Sequence, residues 1–357
     1  MHAFVATVPV TLMMAINYVI SLNIKDADVY ITKSFANADQ IAGRLKEKCV
    51  FKNVYLVEDV LLTYPITVKK CINVVRNGKK IVKDISCRKY DYAYYNNSGW
   101  LVNSIFYTGF IKGNPNCQQR FIEHGYNTYL NEYGKKPWYL RLLINLCGYK
   151  CMDGSMLEAL YMYNPNLLKV HQDGEIRTMP YMDKNNKIFI NVLNYIFDFD
   201  PTKNEFLNKK IIIMEQGPLK EEFDIQKFWS NILEYINKDN AIIKCHPRQK
   251  QSALQKSGIV ISKNNTVPWE IIALNTDMEN KVQFAIFSGS CIIPKTCCNI
   301  ESTVILLYKL LPIDYSFIGE RIVNLTQEIG SRYENPERFF VPETIEELKD
   351  YCIRNKI

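Results

Sequence analysis

The chain has 357 residues, 47% of them hydrophobic and 23% charged, which allows two buried cores and confines disorder to loops and ends. Its net charge of +7 suits a phosphate-bearing ligand or an anionic surface. Lys and Arg occur in short pairs (Lys69-Lys70, Lys79-Lys80, Lys135-Lys136, Lys209-Lys210), too dispersed for a nucleic-acid-binding domain.

Taken from the start, the apolar stretch Ala3 to Ile24 has no basic leader, is broken by Pro9, and is diluted by Thr7, Thr11, Asn17, Ser21 and Asn23. It reads as a strand from Phe4 to Val8, a turn at Pro9 and a helix from Thr11 to Leu22, rather than as a membrane span. Val29 to Ile31 reads as a strand, Ala38 to Lys48 as a helix, and Val54 to Val57 as the next strand. Such alternation predicts parallel βαβ units. Asn77-Gly78, between Val74-Val75 and Ile81-Val82, predicts a local hairpin. Tyr90 to Tyr95 is rich in tyrosine, and Leu101 to Phe110 fits helix or strand. Gln119 to Ile122 is a short strand feeding Glu123-His124-Gly125. Pro137 to Leu146 and Ser155 to Tyr163 read as helices. In the first of these Trp138, Tyr139, Leu140, Leu142 and Leu143 fit a membrane-surface helix, but aromatic stripes are usually core and the expectation is a core helix.

Between Phe197 and Lys210 the composition turns polar. A domain boundary is expected near Asp200, giving units at 1–200 and 201–357. The alternation then resumes: strand Ile211 to Met214, helix Glu221 to Ile236, strand Ala241 to Lys244, strand Gly258 to Ile261, helix Pro268 to Leu274, strand Val282 to Phe287, and helix Ser302 to Leu311. Pro342 to Ile357 reads as a final helix. The predicted class is α/β, with two Rossmann-like domains facing a central cleft.

Three short constellations carry chemistry. His246-Pro247-Arg248 ends a buried strand, and strand carboxyl ends face the ligand crevice of a parallel sheet. His246 there can donate to an anionic phosphate, Pro247 stiffens the turn, and Arg248 adds a phosphate contact. In Glu123-His124-Gly125, the carboxylate can act as general base on a hydroxyl, His124 is an alternative base, and Gly125 lets a ligand approach the backbone. Ser302 and Thr303 precede an apolar run, where hydroxyls at a helix start would cap its free N–H groups beside a phosphate. Ser288-Gly289-Ser290 is a further ligand loop. Each also has a plain structural reading as a strand cap, a turn or a helix cap.

The order of these motifs resembles the bacterial sialyltransferases of glycosyltransferase family 52, which include lipooligosaccharide sialyltransferases. Thr7-Val8-Pro9-Val10-Thr11-Leu12 is similar to their first strand-to-helix turn, and Gln216-Gly217-Pro218-Leu219 to the loop after the first strand of their second domain. The resemblance implies a GT-B fold and inverting, metal-independent transfer of sialic acid from CMP-sialic acid to a lipooligosaccharide or capsular glycan. On that pattern Glu123 is the general base, His246 binds the donor phosphate and helps CMP leave, and Ser302 and Thr303 hold the phosphate. Gly125, Gln216, Gly217, Pro247, Arg248 and Ser288 complete the donor-binding set. The family's second acidic position is His124 here, which leaves room for another donor sugar. The alternatives are a GT-B enzyme using a different nucleotide sugar and a non-catalytic nucleotide-binding protein.

No cofactor is expected. The 11 cysteines lack the CxxC pairing of a structural zinc site, and their odd number with no secretion signal argues for reduced thiols in the cytoplasm. His2, His124, His171 and His246 form no compact ligand motif. The expected partners are CMP-sialic acid and a glycan or glycolipid acceptor. A homodimer and a peripheral contact with the inner face of the cell membrane complete the list, and nucleic acid is not among them.

Overall fold

The computed structural model describes every residue except 63–64, 97–98, 124, 134–135, 217–222, 247–250 and 265–266, and the backbone alone at 126, 127 and 317. Two compact units divide the chain: Met1–Met182 with Asn186–Asp198, and Asp183–Asn185 with Phe199–Ile357.

The first unit runs β1 (His2–Ala6), α1 (Pro9–Ser21), β2 (Ala27–Thr32), α2 (Ala38–Lys48), β3 (Asn53–Val57), α3 (Val68–Ser86), β4 (Tyr92–Tyr95), α4 (Trp100–Gly113), β5 (Gln118–Ile122), α5 (Tyr126–Leu130), α6 (Trp138–Leu146), β6 (Leu157–Met162), β7 (Glu175–Thr178) and α7 (Lys187–Ile196). Its seven strands lie in the order β3-β2-β1-β4-β5-β6-β7, with every neighbouring pair parallel. The order reverses between β1 and β4, which makes their carboxyl ends the switch point of the sheet.

Pro9 begins α1 rather than forming a separate turn, because a first helical position needs no N–H partner. The start is locked by Thr11, whose hydroxyl donates to the Val8 carbonyl at 2.8 Å and accepts from the Val8 N–H at 3.4 Å. The helix is then buried from Thr11 to Val19, as expected of a helix covering a parallel sheet.

Three further expectations fail in this unit. The hairpin at Asn77-Gly78 is absent, since α3 runs unbroken through both residues. The glycine is there for packing: a Cβ at Gly78 would stand 2.4 Å from the Tyr149 hydroxyl and 2.8 Å from Ile105 Cδ1, so it lets α4 and the Tyr149 segment close on α3. Gly78→Ala should therefore destabilise the protein by roughly 1–3 kcal/mol through overpacking, despite alanine's better helix propensity. A lowered urea midpoint checks this, and an unchanged or raised one contradicts it.

The second failure is Ser155 to Tyr163, which holds β6 instead of a helix. Its apolar run is short enough for either, and pairing with β5 and β7 decides it. The third is α6, which is not core: within it only Ile144 is buried. The unpredicted α7 buries Phe189, Val192, Leu193 and Ile196 at helical spacing.

The second unit runs β8 (Ile211–Met214), α8 (Ile225–Leu233), β9 (Ala241–Lys244), β10 (Val260–Ile261), α9 (Trp269–Leu274), β11 (Val282–Ala285), α10 (Ile293–Cys298), β12 (Thr303–Leu306), α11 (Glu320–Ser331), β13 (Phe339–Phe340) and α12 (Ile345–Arg354). The order is β10-β9-β8-β11-β12-β13, again all parallel, and it reverses between β8 and β11. Strands β8 and β9 are buried throughout, which suits strands covered on both faces. The helix expected at Ser302 to Leu311 is instead strand β12 followed by a short turn of 3-10 helix at Tyr308–Leu310. The β-branched Thr303, Val304 and Ile305 pack between β11 and β13.

Candidate functional site

The switch point of the second sheet brings Gln216, His246 and Ser288 of the predicted site residues to one edge. Gln216 follows β8, and its side-chain carbonyl accepts the Phe287 N–H at 3.1 Å, tying the loop after β8 to the loop after β11. The next residue, Ser288, turns its hydroxyl back to accept the Ser290 N–H at 3.3 Å. On the other side of β8, half-buried His246 stands two residues beyond the end of β9. Gln216, His246 and Ser288 thus come from three neighbouring strands and share the carboxyl edge of one sheet. Gly217, Pro247 and Arg248 lie outside the described residues.

A buried carboxylate that the sequence reading missed stands beneath this edge. Glu215 directly follows β8, and its Oε1 accepts from the Ser252 hydroxyl at 2.9 Å and the Leu254 N–H at 3.3 Å. Its backbone N–H binds the Lys244 carbonyl at 3.0 Å, which fixes the spacing of the β8 and β9 ends. Lys244 is also buried. Desolvation lowers its ammonium to about 8, and Nζ donates to the Asn264 carbonyl at 2.9 Å. A charged pair of residue types inside an apolar strand end was the only available signal.

Ser302 and Thr303 are placed elsewhere. They open β12, at the amino edge of the sheet, and no helix start stands there to cap. Ser302 is fully buried and accepts from Gln283 Nε2 at 2.6 Å. Thr303 lines a groove with Lys210, Lys281 and Arg338. The length of β12 separates the pair from the carboxyl edge, roughly 13 Å at ~3.3 Å per residue. The phosphate site expected of a Ser-Thr helix cap is not formed, because the run behind it is a strand.

In the first unit Glu123 directly follows β5, at the carboxyl edge of its sheet, and is 1% exposed. Its N–H binds the Tyr161 carbonyl at 2.9 Å. Oε2 accepts the Tyr129 hydroxyl at 2.6 Å and the Tyr163 N–H at 2.8 Å, while Oε1 has no partner among the described residues. Burial pushes the carboxyl up to about 7, against the lowering effect of the two hydrogen bonds. Such a group is half ionised near neutrality, which suits a general base. Gly125 has a φ of +67°, a left-handed turn that a side chain would strain, and its carbonyl accepts the Thr128 N–H at 3.0 Å. His124 lies outside the described residues. Tyr129 and Tyr163 were not foreseen; only the fold brings them to the carboxylate.

This burial has a pH signature. An unfolded glutamate titrates near 4.5 and the folded one near 7, so between these values the unfolded chain gives up a proton that the folded chain keeps. Stability contributed at this site is therefore full below about pH 4.5 and lost as pH rises toward 7, by about 3 kcal/mol. Glu123→Gln cannot ionise and should gain on the wild type by that amount between acid and mildly alkaline buffer. Paired urea titrations of the two proteins at both pH values check this; a constant difference contradicts it.

The switch point of the first sheet is also polar. Thr7, after β1, and Asn96, after β4, approach each other through their side chains at 3.3–3.4 Å, and the Ser34 hydroxyl donates to the Thr7 carbonyl at 2.6 Å. Asn96 was not singled out from sequence. Among the described residues, no group of three or more His, Cys, Asp or Glu is placed to hold a metal ion. None of the described helices is long and apolar enough to cross a membrane.

No protein family matches the sequence, and no curated protein does either. Solved structures do match in fold. The glycotransferase of kitacinnamycin is similar with a TM-score of 0.52 at 10% identity, covering 99% of this chain and 89% of that one. The putative UDP-N-acetylglucosamine 2-epimerase of Listeria monocytogenes gives 0.51 at 13% identity, covering 100% and 88%. LpCGTa, solved in complex with UDP, gives 0.51 at 8% identity, covering 99% and 89%. With the two parallel-sheet units, these similarities identify the fold as two Rossmann-like α/β domains of the GT-B type.

Proposed function

We propose that the protein is an inverting, metal-independent glycosyltransferase that moves sialic acid from CMP-sialic acid to a hydroxyl of a cell-surface glycan. The observation that supports this reading best is the convergence of Gln216, His246 and Ser288 on the carboxyl edge of the second sheet, at its switch point. Fold alone does not carry the reading, since an epimerase shares it.

In the proposed reaction the acceptor O–H gives its proton to Glu123. The acceptor oxygen forms a bond to the anomeric carbon from the face opposite the nucleotide. The anomeric C–O bond to the phosphate breaks, and its electron pair leaves with CMP. His246 donates a hydrogen bond to that phosphate as negative charge gathers there, and the loop at Ser288 offers further donors. The family pattern contributes Glu123, Gly125, Gln216 and His246 to this assignment. Ser302 and Thr303 take no part in it.

A second reading keeps these residues and changes the donor to a UDP sugar. Two of the fold neighbours name UDP or a UDP sugar, which favours it. A thermal-shift titration with CMP, UDP and GDP separates the two, because a ligand of the native state raises the melting midpoint. The largest shift with CMP, followed by CMP-sialic acid cleavage, supports the first reading. A shift with UDP alone moves the donor to UDP sugars. Binding without turnover of either donor leaves a nucleotide-binding protein, and no shift with any nucleotide overturns the proposal.

A further inference from the structure

The apolar face of α6 points away from the body of the first unit. Trp138 and Leu146 are each 76% exposed, and Tyr139, Leu142 and Leu143 are exposed beside them. These positions follow one another at one and three residues, so they form a single stripe, with buried Ile144 on the opposite side. A second exposed apolar group opens α3: Ile66, Val68 and Ile72. The segment after α6 reaches α3. Tyr149, just past α6, donates its hydroxyl to the Val75 carbonyl of α3 at 2.7 Å, and Val75 continues the stripe begun by Val68 and Ile72.

The charge around this surface is predominantly positive, although Arg141 is ion-paired with buried Asp153. Residues 66–83 contain Lys69, Lys70, Arg76, Lys79, Lys80 and Lys83 and no Asp or Glu. Residues 136–152 add Lys136, Arg141 and Lys150, again with no carboxylate. Lys69 stands in the first turn of α3, which holds no acidic residue and where the helix dipole disfavours a cation. That placement costs stability within the chain, and an external anion would offset it.

We propose that this face of the first unit docks on an anionic lipid bilayer, with Trp138, Leu142 and Leu146 entering the interfacial layer and the lysines of α3 meeting the headgroups. A second copy of the chain fits less well. A two-fold contact sets a patch against itself, which would bring the lysines of α3 together and set like charges against each other. The inference does not rest on the choice of donor nucleotide.

Sedimentation of the full chain with vesicles tests it, using phosphatidylcholine alone and phosphatidylcholine with phosphatidylglycerol. Binding to the anionic vesicles is expected to be about tenfold or more the stronger. The triple variant Trp138→Ala, Leu142→Ala, Leu146→Ala and the triple variant Lys69→Gln, Lys79→Gln, Lys80→Gln should each lose most of it. All six side chains lie at the surface, so melting midpoint and vesicle-free donor cleavage should hold in both. Undiminished binding by the Trp-Leu variant, or no binding to either vesicle, overturns the proposal. A dimer in sedimentation velocity that the Trp-Leu substitutions dissociate would give the face to a second copy and overturn it too.

Discussion

Transfer by the Glu123→Gln protein is expected to fall by roughly a hundred- to ten-thousand-fold, the usual contribution of a positioned general base. The substitution is nearly isosteric. The glutamine carbonyl can accept from Tyr129 and Tyr163 as Oε2 does, so the carboxyl edge of the first sheet keeps its geometry. What disappears is a group that burial has brought to about 7 and that can therefore take a proton near neutrality. Because Gln216, His246 and Ser288 belong to the second unit, CMP affinity should stay within about twofold, which isothermal titration reads directly. The same variant should lose the pH-dependent penalty of a buried carboxylate and become the more stable protein in alkaline buffer. Full transfer activity in the variant would remove Glu123 from the mechanism. Lost activity together with lost CMP binding would show a folding defect instead.

Replacing His246 with Ala should lower kcat by about a hundred- to thousand-fold, comparable to deleting one donor that stabilises developing charge. The effect should concentrate in the step that releases the nucleotide. A donor with a better leaving group than CMP would then recover part of the loss, whereas a purely structural role for the imidazole would leave both donors equally impaired. His246→Asn restores a side-chain donor and should recover a measurable fraction of the rate. If His246→Ala matched the wild type with either donor, the imidazole would lie outside the reaction.

Much of the architecture was legible because buried parallel strands are short apolar runs with abrupt polar ends. Ile211–Met214 and Ala241–Lys244 show this plainly, and both occur where their composition placed them. The same criterion misled at Thr303–Leu306, which is equally apolar but follows two hydroxyl residues that mimic a helix cap. Neither length nor composition of so short a run tells strand from helix, and pairing with β11 and β13 settles it. That one reversal moves Ser302 and Thr303 from the ligand edge to the amino edge and withdraws them from the donor set. Asn77-Gly78 misled in a related way, since the glycine serves close packing against Ile105 and Tyr149, which lie far away in sequence. The stripe of α6 looked like core because a periodic pattern shows that one face is apolar without showing which way it points.

At the candidate site, strand ends could be foreseen and their supporting contacts could not. His246 and Gln216 were marked by their place just after the apolar runs of β9 and β8. The hydrogen bond from Phe287 to Gln216, the Tyr129 and Tyr163 contacts to Glu123, and the buried Glu215 all join segments separated by many residues. Only the sheet order brings them together.

Hydrogen exchange of the full chain, with and without saturating CMP, asks most directly whether the second unit holds a nucleotide at its carboxyl edge. Slowed exchange in peptides covering Met214–Gln216, Cys245–His246 and Ile286–Ser290 is the predicted result. Protection confined to the amino edge around Thr303 and Arg338, or no protection with CMP or UDP, would contradict it.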